Sequence, residues 1–260
     1  MARLEAKLRP SFDTSVFING PFDQEYKAIF NAIVFTVYDS GFYPMCAYEL
    51  SDASESRLKG IVRIRECRYG IHDISRTQLD AINELPRFNM PLELGMFLGC
   101  KEFGAGQDQL RACLIMDIDP HRYQKFMSDI AGQDVLPHGG DPRASVLRVR
   151  DWLRAKSQRI DIPDGGVIWS RFSEFQDRLP AICEKLQWNP RIDELPFIDY
   201  RYVILRYLRV AKAKRHLSKR AGRETAPPTG ATRSRIEYGR RCIQGSRCAS
   251  RRRPSAFQAP

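Results

Sequence analysis

Residues 111–117 read RACLIMD, an apolar run with no alternation of polar residues, closed by Asp117-Ile118-Asp119-Pro120. A strand with one face in water alternates apolar and polar positions. A strand apolar at successive positions is covered on both faces, as a central strand of a parallel sheet is. Shorter runs at 15–19 (SVFIN), 42–48 (FYPMCAY), 69–74 (YGIHDI) and 133–138 (QDVLPH) read as companion strands, with Pro44 restricting the second to an edge or a strand start. Helical patterns lie between them. Over 24–40, Tyr26, Ile29, Phe30, Ile33, Val34 and Val37 follow i, i+3, i+4 spacing, with Gly41 as the stop. Further helices are predicted over 57–67 (capped by Asp52 or Ser54), 91–102, 121–131, 142–156 and 169–186. Asp141-Pro142 caps the fourth, and Pro180 kinks or splits the last. The alternation predicts an α/β fold: a flavodoxin-like parallel sheet of about five strands with helices on both faces.

Charge divides the chain. Residues 201–260 carry 17 of the 42 Lys and Arg but only Glu224 and Glu237 among the 31 acids. The first 200 residues are therefore mildly acidic, 25 basic against 29 acidic, and give no hint of a basic groove. The expected organisation is a flexible leader (1–13), an α/β domain (14–209) whose aromatic segment 192–208 docks as a closing piece, and a disordered basic tail (210–260). Such a tail binds polyanions non-specifically, or else is an extension beyond the natural domain end. No run is long and apolar enough for a membrane span, and the seven cysteines show no CxxC pair or zinc spacing. The expectation is a cytoplasmic protein with reduced thiols, no membrane partner and no metal.

In an open parallel sheet, ligands bind at the carboxyl ends of the strands. Three segments reach that edge. Asn19, Gly20, Pro21, Phe22 and Asp23 follow the first strand. Gly20 permits close backbone approach, and the next helix offers free N–H groups; alone, the loop reads as an ordinary strand–turn–helix junction. Asp73, Ser75 and Arg76 end the third strand. Asp73 either holds a sugar hydroxyl or a nucleophile, or caps a turn or pairs with Arg76; His72 reads as structural. Glu93 follows Pro91 in a helix first turn, where a carboxylate also complements the helix dipole. Asp73 and Glu93 are expected to face one cleft, bordered by the long loop 75–90 with a helical turn near 79–85. Asp117 is a further candidate. Arg76 and Arg122 are candidate phosphate ligands, although Arg122 reads better as a solvated surface residue.

The series FINGPFD, HDIS and PLELGMFLG, spread over residues 16–117, resembles the nucleoside 2-deoxyribosyltransferase-like family, whose neighbourhood includes TIR-type NAD-cleaving domains. The resemblance implies that Glu93 is the catalytic glutamate, that Asp73 holds the sugar or base, and that residues 19–22 form the substrate loop. Asp23, Ser75, Arg76, Asn89 and Asp117 complete the expected substrate-binding set. Phe22 stands where the first loop would carry a tyrosine, and Met90-Pro91 stands where a Gly-Thr precedes the helix. The implied activity is recognition of a nucleoside or nucleotide and cleavage of its N-glycosidic bond, with no cofactor and with NAD as one candidate substrate. A carboxylate at the anomeric carbon stabilises or captures oxocarbenium character there. The alternative is a non-catalytic nucleotide-sensing module in bacterial stress or defence signalling. By analogy with such domains, a homodimer is the expected assembly.

Overall fold

The computed structural model describes residues 10–47, 62–77, 87–188 and 195–224, the last eleven of these by backbone alone. Five strands, β1 (Ser15–Asn19), β2 (Tyr43–Met45), β3 (Tyr69–Asp73), β4 (Ala112–Asp117) and β5 (Val135–Pro137), form one all-parallel sheet in the order β2-β1-β3-β4-β5. This is the flavodoxin-like arrangement. Register runs Val16 to Tyr69 between β1 and β3, Asp73 to Met116 between β3 and β4, and Asp117 to Pro137 between β4 and β5. The chain leaves β1 for edge strand β2 and returns on the other side to β3. The carboxyl ends of β1 and β3 therefore flank the switch point where such sheets bind ligands.

Five helices cover the sheet: α1 (Lys27–Asp39), α2 (Asn89–Phe103), α3 (Pro142–Ser157), α4 (Gly165–Lys185) and α5 (Phe197–Glu224). On one face α1 is buried over nearly its whole length beneath α3, α4 and α5, with Phe35 stacked among Phe172, Phe175 and Tyr207. On the other face α2 packs Phe97 with Phe17, Ile64 and Cys67, and Leu94 with Ile74, Ile115 and Tyr123. Asp141 caps α3 by accepting from the N–H groups of Arg143 and Ala144, with Pro142 at the first helical position.

Several boundaries differ from the expectations. Helix α2 starts at Asn89, two residues before Pro91, because the N–H that proline lacks has no partner in a helix first turn anyway. Glu93 is thus the fifth helical residue, and no acid stands in the first turn. The helix expected over 121–131 is instead two 3-10 turns, Arg122–Lys125 and Ser128–Ile130. His121 opens the first in a left-handed conformation, and Phe126 and Met127, both at φ −137°, separate them. The described end of 57–67 is a 3-10 turn, Arg63–Glu66. Helix α4 runs unbroken through Pro180, which is exposed, so the carbonyl it leaves without a donor is reachable by water. Helix α5 continues past residue 209 to Glu224, through Ala, Lys, Arg and Leu, which favour helix. The caps proposed at Asp52 and Ser54, the turn at 79–85 and the tail from 225 onward lie outside the described residues.

Candidate functional site

At the switch point the loop after β1 turns on Gly20-Pro21, and Asp23 caps the following turn by accepting from the Tyr26 N–H at 2.9 Å. The cap aims the Tyr26 side chain back over the strand ends. A methyl group on Gly20 would stand 3.1 Å from Tyr26 Cε1, tighter than ordinary packing, so the glycine leaves room for the ring. The Tyr26 hydroxyl donates to Asp73 Oδ2 at 2.8 Å. Burial first, then the charge and hydrogen bond of Asp73, hold the phenol well above its ordinary pKa, so it remains a donor.

Asp73 ends β3 and is fully buried. Its Oδ1 accepts from the Ser75 N–H at 2.9 Å, closing a turn in which the side chain mimics backbone. On the far side, His138 Nε2 comes within 3.0 Å of Asp73 Oδ2. His138 immediately follows β5, and its Nδ1 accepts from the Gly140 N–H at 3.0 Å. The Nε2 nitrogen therefore carries the ring proton in the neutral form. That N–H is close to the carboxylate but is not aligned on it, and Nε2 is buried without a hydrogen-bond partner. Tyr26 and His138 meet edge to face, with ring centroids 6.2 Å apart.

Above this cluster lies a cleft of about 210 Å3 lined by Glu25, Tyr26, Ile29, Ser75, Arg76, Ile118, His138 and Gly140. Arg76 stands at its mouth. Its Nε lies 3.1 Å from Asp23 Oδ2, and its Nη2 meets the exposed Glu25 carboxylate. Arg87 approaches Asp23 at 3.5 Å.

Of the residues expected at the site, Asp73, Ser75, Arg76 and Asp23 converge around this cleft. The others have different work. The Asn19 amide donates to the Met90 carbonyl at 2.8 Å and contacts His72 Nδ1 at 3.0 Å, tying β1 to the start of α2. Pro21 is buried, and Phe22 packs edge to face on Phe30. Asn89 is exposed at the first position of α2. Asp117 accepts from Arg122 through both carboxylate oxygens, and Arg122 also donates to the Ile74 carbonyl at 2.9 Å. Arg122 is therefore a buried-side partner, not the solvated surface residue expected. Burial raises the Asp117 pKa, hydrogen bonds from Arg122 and Ile118 pull it back, and the charge of Asp73 adds to the rise. Asp73 is not paired with Arg76. Glu93 is only 2% exposed, is engaged by a neighbour, and is not among the residues lining the cleft. His72 packs its ring on Phe97 and meets the Asn19 amide through Nδ1, while Nε2 is buried without a hydrogen-bond partner, and burial lowers its pKa to about 3.

Tyr26 and His138 are candidate site residues absent from the set expected from the sequence. Tyr26 falls on the apolar face of a helical pattern, yet its hydroxyl donates to Asp73. His138 carried a usable signal, a histidine between a strand and Gly139-Gly140 at the ligand edge. Among the described residues, no group of three His, Cys, Asp or Glu could hold a metal ion, and no helix is long and apolar enough to cross a membrane. Compared with known proteins, the chain matches no family model, no curated protein and no solved structure.

Proposed function

We propose that this protein recognises a nucleoside or nucleotide in the switch-point cleft, with the sugar against Ser75, Tyr26 and His138. The observation that carries this reading is a fully buried carboxylate, Asp73, hydrogen-bonded by Tyr26 and with His138 Nε2 3.0 Å away, beneath a cleft at the ligand edge of the sheet. A buried acid facing a phenol, a histidine and no arginine is costly for folding alone and suited to orienting polar side chains toward hydroxyls. Pockets that enclose drug-sized ligands run to about 300–1,000 Å3. A cleft of about 210 Å3 suits one sugar and an edge of its base, with the remainder of the ligand outside.

The catalytic form of this reading is N-glycosidic cleavage with Glu93 as the carboxylate at the anomeric carbon. The observation favouring it is that Glu93 is buried in the body of α2 and so does not serve as a helix cap. Its position outside the cleft lining favours the binding-only form, a sensing module. Incubation with NAD and a panel of nucleosides and nucleotides, with free base measured chromatographically, tests both. Base released by wild type and not by Glu93→Gln supports cleavage. Ligand binding without base release supports the sensor, and absence of binding removes the proposal.

A further inference from the structure

Helix α2 differs from its neighbours in what it shows to the outside. Its buried side is Met90, Glu93, Leu94 and Phe97. On the opposite side Phe88, Leu92, Gly95, Met96, Gly99 and Phe103 share one stripe by i, i+3, i+4 spacing. Phe88 is 67% exposed, Leu92 56% and Phe103 92%. From Asn89 to Cys100 the one charged residue is Glu93, and it is buried. The solvent face of α3 carries Arg143, Arg148, Asp151 and Arg154, and that of α4 carries Glu174, Asp177 and Arg178. A helix apolar on both sides is covered on both. The glycines show how closely the cover approaches. A glycine inside a helix costs about 1 kcal/mol relative to alanine. Among the described residues nothing requires either one: a methyl group on Gly95 would meet nothing within 4 Å outside its own stretch of helix, and one on Gly99 would meet only the Phe103 ring, at 3.9 Å. Their use is to let another backbone come near.

We infer that this stripe is where a second copy of the chain packs, α2 against α2, antiparallel about a two-fold axis near residue 97. The spacing Leu92, Gly95, Gly99, Phe103 reads nearly the same in both directions. A two-fold axis therefore sets Gly95 opposite the partner's Gly99, and Leu92 opposite the partner's Phe103, which is the self-complementarity an isologous contact requires. Such a contact also brings like charges together, and no charged residue lies on the stripe between Leu92 and Gly99. The area suits a second copy as well. A stable pair takes about 800 Å2 from each partner, a little over half of it apolar. Phe88 and Phe103 alone leave on the order of 300 Å2 open. Leu92 adds to this, with Val62 and Leu110 exposed at the two 3-10 turns packed against α2, Arg63–Glu66 and Gly106–Leu110. Assembly through α2 requires nothing of the cleft.

The test is sedimentation velocity of the full-length protein across a wide concentration range, beside Gly95→Leu, Leu92→Lys and Phe103→Glu, with folding checked by circular dichroism. Wild type is expected to be a dimer. Gly95→Leu puts a good helix former into space that is open in the single chain, so it should keep the fold and weaken the dimer by about tenfold or more. Leu92→Lys and Phe103→Glu should each be monomeric. Their equimolar mixture should recover a dimer, because the new lysine of one copy then faces the new glutamate of the other. A wild type that stays monomeric at every concentration overturns the inference and leaves the stripe to another cover. A dimer unchanged in Gly95→Leu places the interface elsewhere and overturns it too. Failure of the mixture to pair, with both variants folded, overturns the antiparallel arrangement.

Discussion

Asp73 and Asp117 end adjacent strands at the same edge of the sheet, and both are fully buried. Their surroundings differ in one respect. Asp117 is answered by a guanidinium that grips both its oxygens and a neighbouring carbonyl. Asp73 is answered by a phenol, a histidine and a backbone N–H beneath an open cleft. The first arrangement is complete within the protein and serves to pin the segment after β4. The second sets a buried carboxylate against a phenol and a histidine beside unfilled space, and on that contrast the proposed binding site rests. Position at the ligand edge nominates a carboxylate; the identity of its partner decides what it does.

The largest expected effect lies on the structural side. Arg122→Met strands Asp117 as a buried charge and is expected to lower stability by about 3–5 kcal/mol, read by denaturant unfolding. A loss below about 1 kcal/mol would mean that Asp117 is not held as described and that the contrast with Asp73 is false. Next is Tyr26→Phe, which removes a buried hydrogen bond to the Asp73 carboxyl group and is expected to cost about 1–3 kcal/mol. It should also weaken ligand binding, whereas Arg122→Met should alter binding only as far as it alters folding.

His72, one residue before Asp73, sharpens the contrast by titration. Its pKa is lowered by burial to about 3 from an ordinary 6.5. Below pH 6.5 the unfolded chain takes up a proton that the native state refuses, so stability is complete above that pH and falls as pH drops toward 3. The limiting contribution is about 1.4 kcal/mol per pH unit, and His72→Asn should flatten that slope in pH-dependent unfolding. An unchanged slope would place the acid sensitivity elsewhere. The smallest effect is Gly20→Ala, which pushes on the Tyr26 ring and should cost about 1 kcal/mol. A double-mutant cycle with Tyr26→Ala should show coupling between the two; additivity would mean that Gly20 does not serve the ring.

Much of the fold was legible because it depends on local pattern. The continuous run in β4 demanded burial on both faces, Pro44 put β2 at an edge, and Asp141-Pro142 announced α3. Less of the site was legible. A helical periodicity registers the Tyr26 ring but not its hydroxyl, whose partner lies 47 residues away. The run 133–138 puts His138 at a strand end, but nothing local shows that the ring reaches Asp73, two strands away in the sheet. Proline at 91 suggested a helix start, although proline is tolerated anywhere in a first turn, and that misplaced Glu93 relative to the helix end. Arg122 looked like a surface cation because nothing local reveals that the chain folds its side chain back onto Asp117.

The most direct test of the account is the ligand affinity of Asp73→Asn against wild type, measured with the tightest-binding nucleoside after circular dichroism has confirmed that the variant folds. Replacing the carboxylate by an amide of the same shape should leave the fold intact and weaken binding by about tenfold or more, because Tyr26 loses the carboxylate that orients its hydroxyl. Unchanged affinity in folded Asp73→Asn would contradict the account and move the site away from the switch-point cleft.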